Sequence, residues 1–147
     1  MLLGTIYDMR KNPEMAEKHY REALGIRPDF APAANNLAYL LVDQDKDMEE
    51  ALALARQAKE KLPQDPNVMD TLGLVYYKRG LYDSAISEFN DSIEKAPDKA
   101  AVHYHLGLAY HQKNDNARAR AAFEAALSLD DKFPGADEAK KWLKENK

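Results

Sequence analysis

This sequence lacks several features that mark common functional classes. It contains no cysteine, which excludes disulfides, thiol nucleophiles and thiolate metal sites. No apolar run approaches the roughly 18 residues of a transmembrane helix, and Met1-Leu2-Leu3 shows neither the basic region nor the cleavage site of a signal peptide. The 25 acidic residues outnumber the 21 basic ones, so no basic surface favours nucleic acid. From 147 residues we therefore expect one soluble domain, cytoplasmic or periplasmic, that neither inserts into a membrane nor binds nucleic acid.

The sequence also lacks the clustered residues that mark catalytic and phosphate-binding sites. The six glycines are scattered singly, so there is no phosphate-binding loop, and no serine or threonine lies in a nucleophile elbow. His103 and His105 are two residues apart and would point to different sides of a helix, and His111 has no neighbouring ligands of the H-E-x-x-H kind. His103 stands where a large packing residue is expected. The sequence therefore predicts no catalytic residue, no cofactor and no metal site, and we do not expect an enzyme.

What the sequence does contain is an internal repeat with a period of 34 residues. Five pairs of residues recur at this period: Leu72/Leu106, Gly73/Gly107, Tyr76/Tyr110, Ala85/Ala119 and Phe89/Phe123. The apolar spacing within each copy predicts two amphipathic helices joined by a turn. One unit of this length cannot bury its own apolar faces, so neighbouring units must bury one another.

The same register divides the whole chain into units. We predict units at residues 1–30, 31–65, 66–99 and 100–133, followed by a capping helix at 134–146. The first unit is truncated, because Leu3, Gly4 and Tyr7 stand at first-helix positions with about one turn missing before them. We favour the interpretation that it was cut from a longer protein, and an abbreviated native start is the alternative.

Residues with strong capping or turn preferences mark the predicted helix ends. N-caps are predicted at Asn12, at Asp65 and, as a pair with Glu50, at Asp47. Gly80 and Asn114 are predicted to adopt the left-handed conformation that ends a helix.

The order Leu-Gly-x-x-Tyr, then Ala, Phe, Ala or Ser, and Pro resembles the tetratricopeptide repeat. The resemblance covers nearly the whole chain, and NNLAYLL and DTLGLVYYKRG are also similar to bacterial members, including those of envelope and polysaccharide-export systems. The departures from the pattern are Ala38 for Gly, Leu41 for Tyr, Ala55 for the aromatic residue and Asp131 for Pro. The resemblance implies an all-α fold: an α-α superhelix, or solenoid, of about four helix-turn-helix units plus a C-terminal capping helix, forming a single domain over residues 1–147.

The resemblance also implies where a partner would bind, because the first helix of each unit lines the inner wall of such a superhelix. The groove residues that packing does not use are predicted to be Asn35, Asn36, Tyr39, Asp70, Thr71, Leu74, Tyr77, Tyr104, His105, Leu108 and His111. Tyr39, Leu74 and Leu108 occupy equivalent positions and should form an apolar row, while the amides of Asn35 and Asn36 are suited to an extended peptide backbone. We therefore expect a non-catalytic interaction or scaffold module that binds a peptide or helix of a partner protein. The alternative is a solvated inner wall without a dedicated ligand.

One specific mode of binding is not expected. Co-chaperone members of the family hold a C-terminal carboxylate with two asparagines and several basic residues on this wall. The matching positions in the two possible registers are Met1, Thr5, Asn36, Asn67 and Thr71, or Asn35, Tyr39, Thr71, Ala101 and His105. Neither set supplies the basic cluster that offsets the desolvation of a carboxylate.

A second function that the sequence leaves open is self-assembly. The truncated first unit leaves Leu2, Leu3, Ile6 and Tyr7 without the neighbour that would cover them. An uncovered apolar end favours end-to-end or swapped contacts. The alternative hypothesis is therefore a structural module that forms homo-oligomers through its exposed ends.

Overall fold

The computed structural model describes residues 12–147, and all regular elements in this range are α-helices. The predicted first-helix residues of the truncated unit, and the apolar residues invoked for self-assembly, lie outside the described residues. The helices are α1 Pro13–Ile26, α2 Ala31–Asp43, α3 Met48–Lys61, α4 Pro66–Lys78, α5 Tyr82–Lys95, α6 Ala100–Gln112, α7 Asn116–Leu129 and α8 Ala136–Glu145. Each packs on the next along the chain, and α2 also contacts α4, as α4 contacts α6.

Side-chain caps explain where several helices begin. Asn12 Oδ1 accepts a hydrogen bond from the backbone N–H of Met15 at 3.3 Å, and Asp65 Oδ1 accepts one from Asn67 at 2.8 Å. Asp47 Oδ1 accepts from the Glu50 N–H at 3.0 Å, so the three predicted N-caps are confirmed. The predicted pair of Asp47 with Glu50 therefore forms through the backbone N–H of Glu50. The Glu50 carboxylate instead accepts two bonds from the Arg21 guanidinium, at 2.7 and 3.0 Å, because a bidentate charged donor outweighs one backbone N–H.

The ends of α4 and α6 confirm the predicted left-handed residues. Gly80 has φ 76° and Asn114 has φ 61°. In each case the following N–H turns back to a helix carbonyl: Leu81 donates to Tyr76 at 2.9 Å and Asp115 donates to Tyr110 at 3.0 Å. These tight turns bring α5 back against α4 and α7 back against α6.

The Leu-Gly signature is explained by close packing within a unit. A Cβ added at Gly73 would lie 2.5 Å from the ring of Phe89, and one added at Gly107 would lie 2.6 Å from the ring of Phe123. Both phenylalanines are fully buried. In the unit at residues 31–65, Ala38 stands in place of the glycine and Ala55 in place of the phenylalanine, and both lie in one buried cluster. The methyl group of Ala38 is accommodated there because the second helix carries no ring at this position.

Hydrogen bonds between successive units fix the register of the array. Lys59 pairs with Glu88 of the next unit at 2.8 Å, while within the unit at 66–99 Ser92 Oγ donates to the Pro66 carbonyl at 2.7 Å. Near the turns that join the two helices of each unit, Arg79 pairs with Glu49 of the preceding unit. The equivalent pair one unit later joins Lys113 to Asp83.

The last helix covers the end of the array, as the sequence predicts. Ala136 and Ala139 of α8 are buried in a cluster with Phe123 and Ala126 of α7, and Trp142 packs against it. Within the described part of the chain, no helix is long and apolar enough to span a bilayer.

Candidate functional site

The inner wall is built from the first helices α2, α4 and α6. Residues at i, i+4 and i+7 lie on one face of a helix, so each of the three contributes a stripe of three equivalent positions. The stripes are Asn35–Tyr39–Val42 on α2, Asp70–Leu74–Tyr77 on α4 and Tyr104–Leu108–His111 on α6.

The middle positions of the stripes are the three residues of the predicted apolar row. Tyr39 is 40% exposed. Leu74 is half-buried and bridges two clusters, one with α2 and α3 and the other with α5 and α6. Leu108 is half-buried beside the cluster under α8. The row therefore offers an accessible aromatic side chain at one end and two partly covered aliphatic side chains beyond it.

The two predicted amides bind each other. Asn35 Nδ2 donates to Asn36 Oδ1 at 3.4 Å. Asn35 is buried, whereas Asn36 is half-buried. Within residues 12–147, Asn35 Oδ1 has no hydrogen-bond partner, which is costly for a buried acceptor.

The polar centre of the wall is a pair that sequence reasoning did not find. His105 Nδ1 lies 2.8 Å from Asp70 Oδ1, and each side chain is only 17% exposed. The His105 ring also packs on Phe89, with ring centroids 5.7 Å apart. A sequence signal exists, since the first residue of the α4 stripe and the residue after the first position of the α6 stripe are 35 apart. The spacing alone does not show that the two side chains meet, because their contact also depends on the rotation of one unit relative to the next.

Two predicted groove residues serve the packing of their own units. Thr71 is buried, and its hydroxyl donates to the Asn67 carbonyl at 3.0 Å, so it lies in the core rather than on the groove surface. Tyr77 is half-buried and packs on Tyr82, with ring centroids 5.7 Å apart.

The C-terminal part of the wall is covered by α8 and the turn before it. The Tyr104 ring packs on Phe123 and Phe133, and a Cβ at Gly135 would lie 2.6 Å from it. Burial, with smaller effects from the charges of Glu138 and Tyr77, raises the pKa of Tyr104. The phenol therefore remains a neutral hydrogen-bond donor.

His111 is held by the same helix. Trp142 Nε1 donates to His111 Nδ1 at 3.2 Å, and the rings meet edge-on with centroids 5.6 Å apart. Because this bond uses Nδ1 as the acceptor, His111 carries its proton on Nε2 when neutral. The contact requires α8 to reach back over α6, which the sequence pattern of α8 alone does not indicate.

His103 differs from its predicted role as core filler. It is half-buried, and its Nε2 lies 2.9 Å from the Pro97 carbonyl. In the part of the chain that the structure describes, no three His, Asp or Glu side chains are arranged to hold a metal ion.

Comparison with known proteins identifies this architecture. A family model described as tetratricopeptide repeat matches residues 1–66 and 71–137. The chain belongs to the tetratricopeptide repeat family. Tetratricopeptide repeat proteins generally mediate protein–protein interactions and are generally non-catalytic scaffolds. The predicted family and the predicted all-α superhelix are thereby confirmed.

Individual tetratricopeptide repeat proteins extend the comparison. Protein FlbA of Caulobacter vibrioides is 31% identical over 139 residues, which are 92% of this chain and 22% of FlbA. The solved structure of pilF from Pseudomonas aeruginosa superposes with a TM-score of 0.79 at 26% identity, over 98% of this chain and 66% of pilF. YrrB, described as having an unusual peptide-binding site, superposes with a TM-score of 0.75 at 23% identity, over 94% of this chain and 71% of YrrB. The chain spans about a fifth of the length of the curated relatives it matches.

Proposed function

We propose that this chain is a non-catalytic interaction module that binds a peptide or helix of a partner protein along the inner wall of α2, α4 and α6. The observation that carries the proposal is the partly accessible apolar row of Tyr39, Leu74 and Leu108. An aromatic or aliphatic row supplies apolar contact area, and polar groups beside it fix the orientation of a ligand.

The polar groups beside the row support an extended segment as the ligand. Asn36 presents a half-buried amide, and Asp70 and His105 form a partly exposed hydrogen-bonded pair. An amide donates to a backbone C=O or accepts from a backbone N–H, and a carboxylate accepts from a backbone N–H, so these groups suit a segment whose backbone has no internal pairing. The fold is compatible with this role, because YrrB combines it with a peptide-binding site.

The charges near the wall argue against capture of a free C-terminal carboxylate. Lys78 at the end of α4 pairs with Asp45 at 2.8 Å, and Lys99 donates to the Asn67 side chain. Each cation already donates to a group of this chain, and the two do not form a basic cluster dedicated to a ligand carboxylate. We expect no binding that depends on a free acidic C-terminus, and loss of such binding in an Asn36→Ala variant would contradict this.

A nuclear magnetic resonance titration with a panel of synthetic peptides tests the proposal. Amide shifts should map to α2, α4 and α6, and Tyr39→Ala and Leu108→Ala should each weaken binding by about tenfold, since each removes apolar contact worth roughly 1.4 kcal/mol. Leu81→Ala is the matched control, because Leu81 is a large exposed apolar residue at the start of α5. Binding that is indifferent to Tyr39 and Leu108 would overturn the proposal.

Self-assembly remains the alternative prediction. The residues on which it depends lie outside the described part of the chain, and within that part Ile26 at the end of α1 offers an apolar side chain that is 83% exposed. Light scattering over a wide concentration range decides between the two: a constant monomer mass removes this alternative.

A further inference from the structure

The wall contains a carboxylate that, among the described residues, pairs with a histidine but with no lysine or arginine. Asp70 is the acidic member of the three equivalent stripe positions, the others being Asn35 and Tyr104. Its side chain is 17% exposed, and Oδ1 is bound to His105 Nδ1 at 2.8 Å. Among residues 12–147, no lysine or arginine lies within ion-pair distance of Asp70. A partly buried carboxylate with one hydrogen bond retains acceptor capacity on Oδ2.

The neighbouring cations are committed to other partners. Lys78 is paired with the Asp45 carboxylate, whereas Lys99 donates to the neutral Asn67 amide and lies beyond ion-pair distance of Asp70. Arg79 is paired with Glu49 of the preceding unit. Beside the Asp70–His105 pair lie the apolar Leu74, one turn along the same stripe, and the Phe89 ring, which packs on His105.

We infer that Asp70 recognises a lysine or arginine side chain of the segment bound in the groove. This rests on the proposed function, which it deepens by naming the chemistry of the partner: an extended segment with one basic residue between apolar residues. The ammonium or guanidinium group reaches Asp70 Oδ2, and the aliphatic part of the same side chain lies along Leu74. The flanking apolar residues contact Tyr39 on one side and Leu108 on the other.

Charge complementarity excludes the opposite partner. An acidic side chain at this point would be desolvated beside Asp70 with no cation to offset the repulsion. A neutral side chain would leave Asp70 partly buried, with His105 as its single ion-pair partner among the described residues. The basic segment is therefore the occupant that improves the electrostatics of the free wall.

Selection from a displayed library of random short peptides on the full chain provides the probes. We expect the enriched peptides to share one lysine or arginine. In calorimetry, replacing that residue with norleucine and the Asp70→Asn substitution should each weaken binding by about tenfold, and the two together by no more than either alone. Asp91→Asn is the matched control, because Asp91 is exposed on α5, outside the wall.

A charge exchange separates recognition from a structural role. Asp70→Lys should lose the selected basic peptide and gain its Lys→Glu counterpart, which loss of the His105 bond alone would not produce. Thermal unfolding of each variant checks that it is folded. If Asp70→Lys does not fold, the calorimetric comparison of Asp70→Asn with the norleucine peptide decides whether Asp70 binds the basic residue. If the peptides ignore Tyr39→Ala and Leu108→Ala, the proposed function fails. If they depend on both but share no basic residue and bind Asp70→Asn normally, only this inference is overturned.

Discussion

At the scale of single residues, the tightest constraint is the contact between Gly73 and Phe89. We expect Gly73→Ala to destabilise the protein, because the new methyl group would lie 2.5 Å from a fully buried ring. The steric cost of roughly 1–3 kcal/mol exceeds the gain of up to about 1 kcal/mol in helix propensity. Urea unfolding measures the net effect. The displaced ring would also press on His105, so the Asp70–His105 bond should weaken with it.

Gly25 provides the matched control for this substitution. It also lies within a helix, but a Cβ added there would meet no atom within 4 Å. Gly25→Ala should therefore stabilise the protein by about 0.5–1 kcal/mol. Equal effects at the two glycines would show that backbone propensity, and not packing against Phe89, determines the outcome.

Tyr104 gives a pH dependence at the alkaline end. Burial raises the pKa of this phenol above its ordinary value of 10.0, so the folded state binds the proton more tightly than the unfolded state. The associated stability is fully present below pH 10.0 and is lost as the pH rises through the higher pKa of the folded state. Above this pH, the free energy of unfolding measured with urea should therefore decline less for Tyr104→Phe than for the parent protein. An identical decline in both proteins would mean that Tyr104 ionises equally well in the folded and unfolded states.

At the scale of helices, the start of α5 can be improved. Leu81 is its N-cap residue, 47% exposed and without a side-chain cap. Asp115, at the equivalent position of α7, accepts a hydrogen bond from the Arg118 N–H at 3.1 Å. Leu81→Asp should reproduce this cap and stabilise the protein by about 1 kcal/mol. The reverse change, Asp115→Leu, should destabilise it by a similar amount in the same thermal unfolding experiment.

Helix ends were predictable from the sequence because their causes are local. Asn12, Asp65, Gly80 and Asn114 act on backbone groups within a few residues, so their types are sufficient to place them. Contacts between helices were not predictable in the same way. The Glu50 carboxylate bonds to Arg21 on another helix, and no local preference favours that bond over the cap at Asp47.

The groove shows the same division. Repeat register was enough to predict that Tyr39, Leu74 and Leu108 occupy equivalent positions, which follows from counting residues. It could not predict that His105 bonds to Asp70, because that depends on the rotation between units. Whether the predicted residues bind a partner stays a prediction, since the geometry shows only which of them a partner could reach.

At the scale of the whole molecule, stability should be graded along the array, because the described helices pack mainly on helices of their own or the adjacent unit. Truncation after Lys132 removes α8 and Phe133, and so uncovers Phe123 and Tyr104. We expect hydrogen exchange to accelerate mainly in α6 and α7, while α2 and α3 keep most of their protection. Removal of Lys147 alone, which leaves α8 complete, is the control. Uniform loss of protection would instead mean that the array unfolds as one cooperative block.

The reciprocal sizes of residues inside each unit restrict how such arrays can be shuffled. The second unit combines Ala38 with Ala55, and the third combines Gly73 with Phe89. A chimaera that joined the first helix of one unit to the second helix of the other would either set a methyl group against a ring or leave a void where both are small. Exchange of a whole hairpin keeps each pair together. In recombination or design, the smallest interchangeable module of this protein is therefore the hairpin rather than the helix.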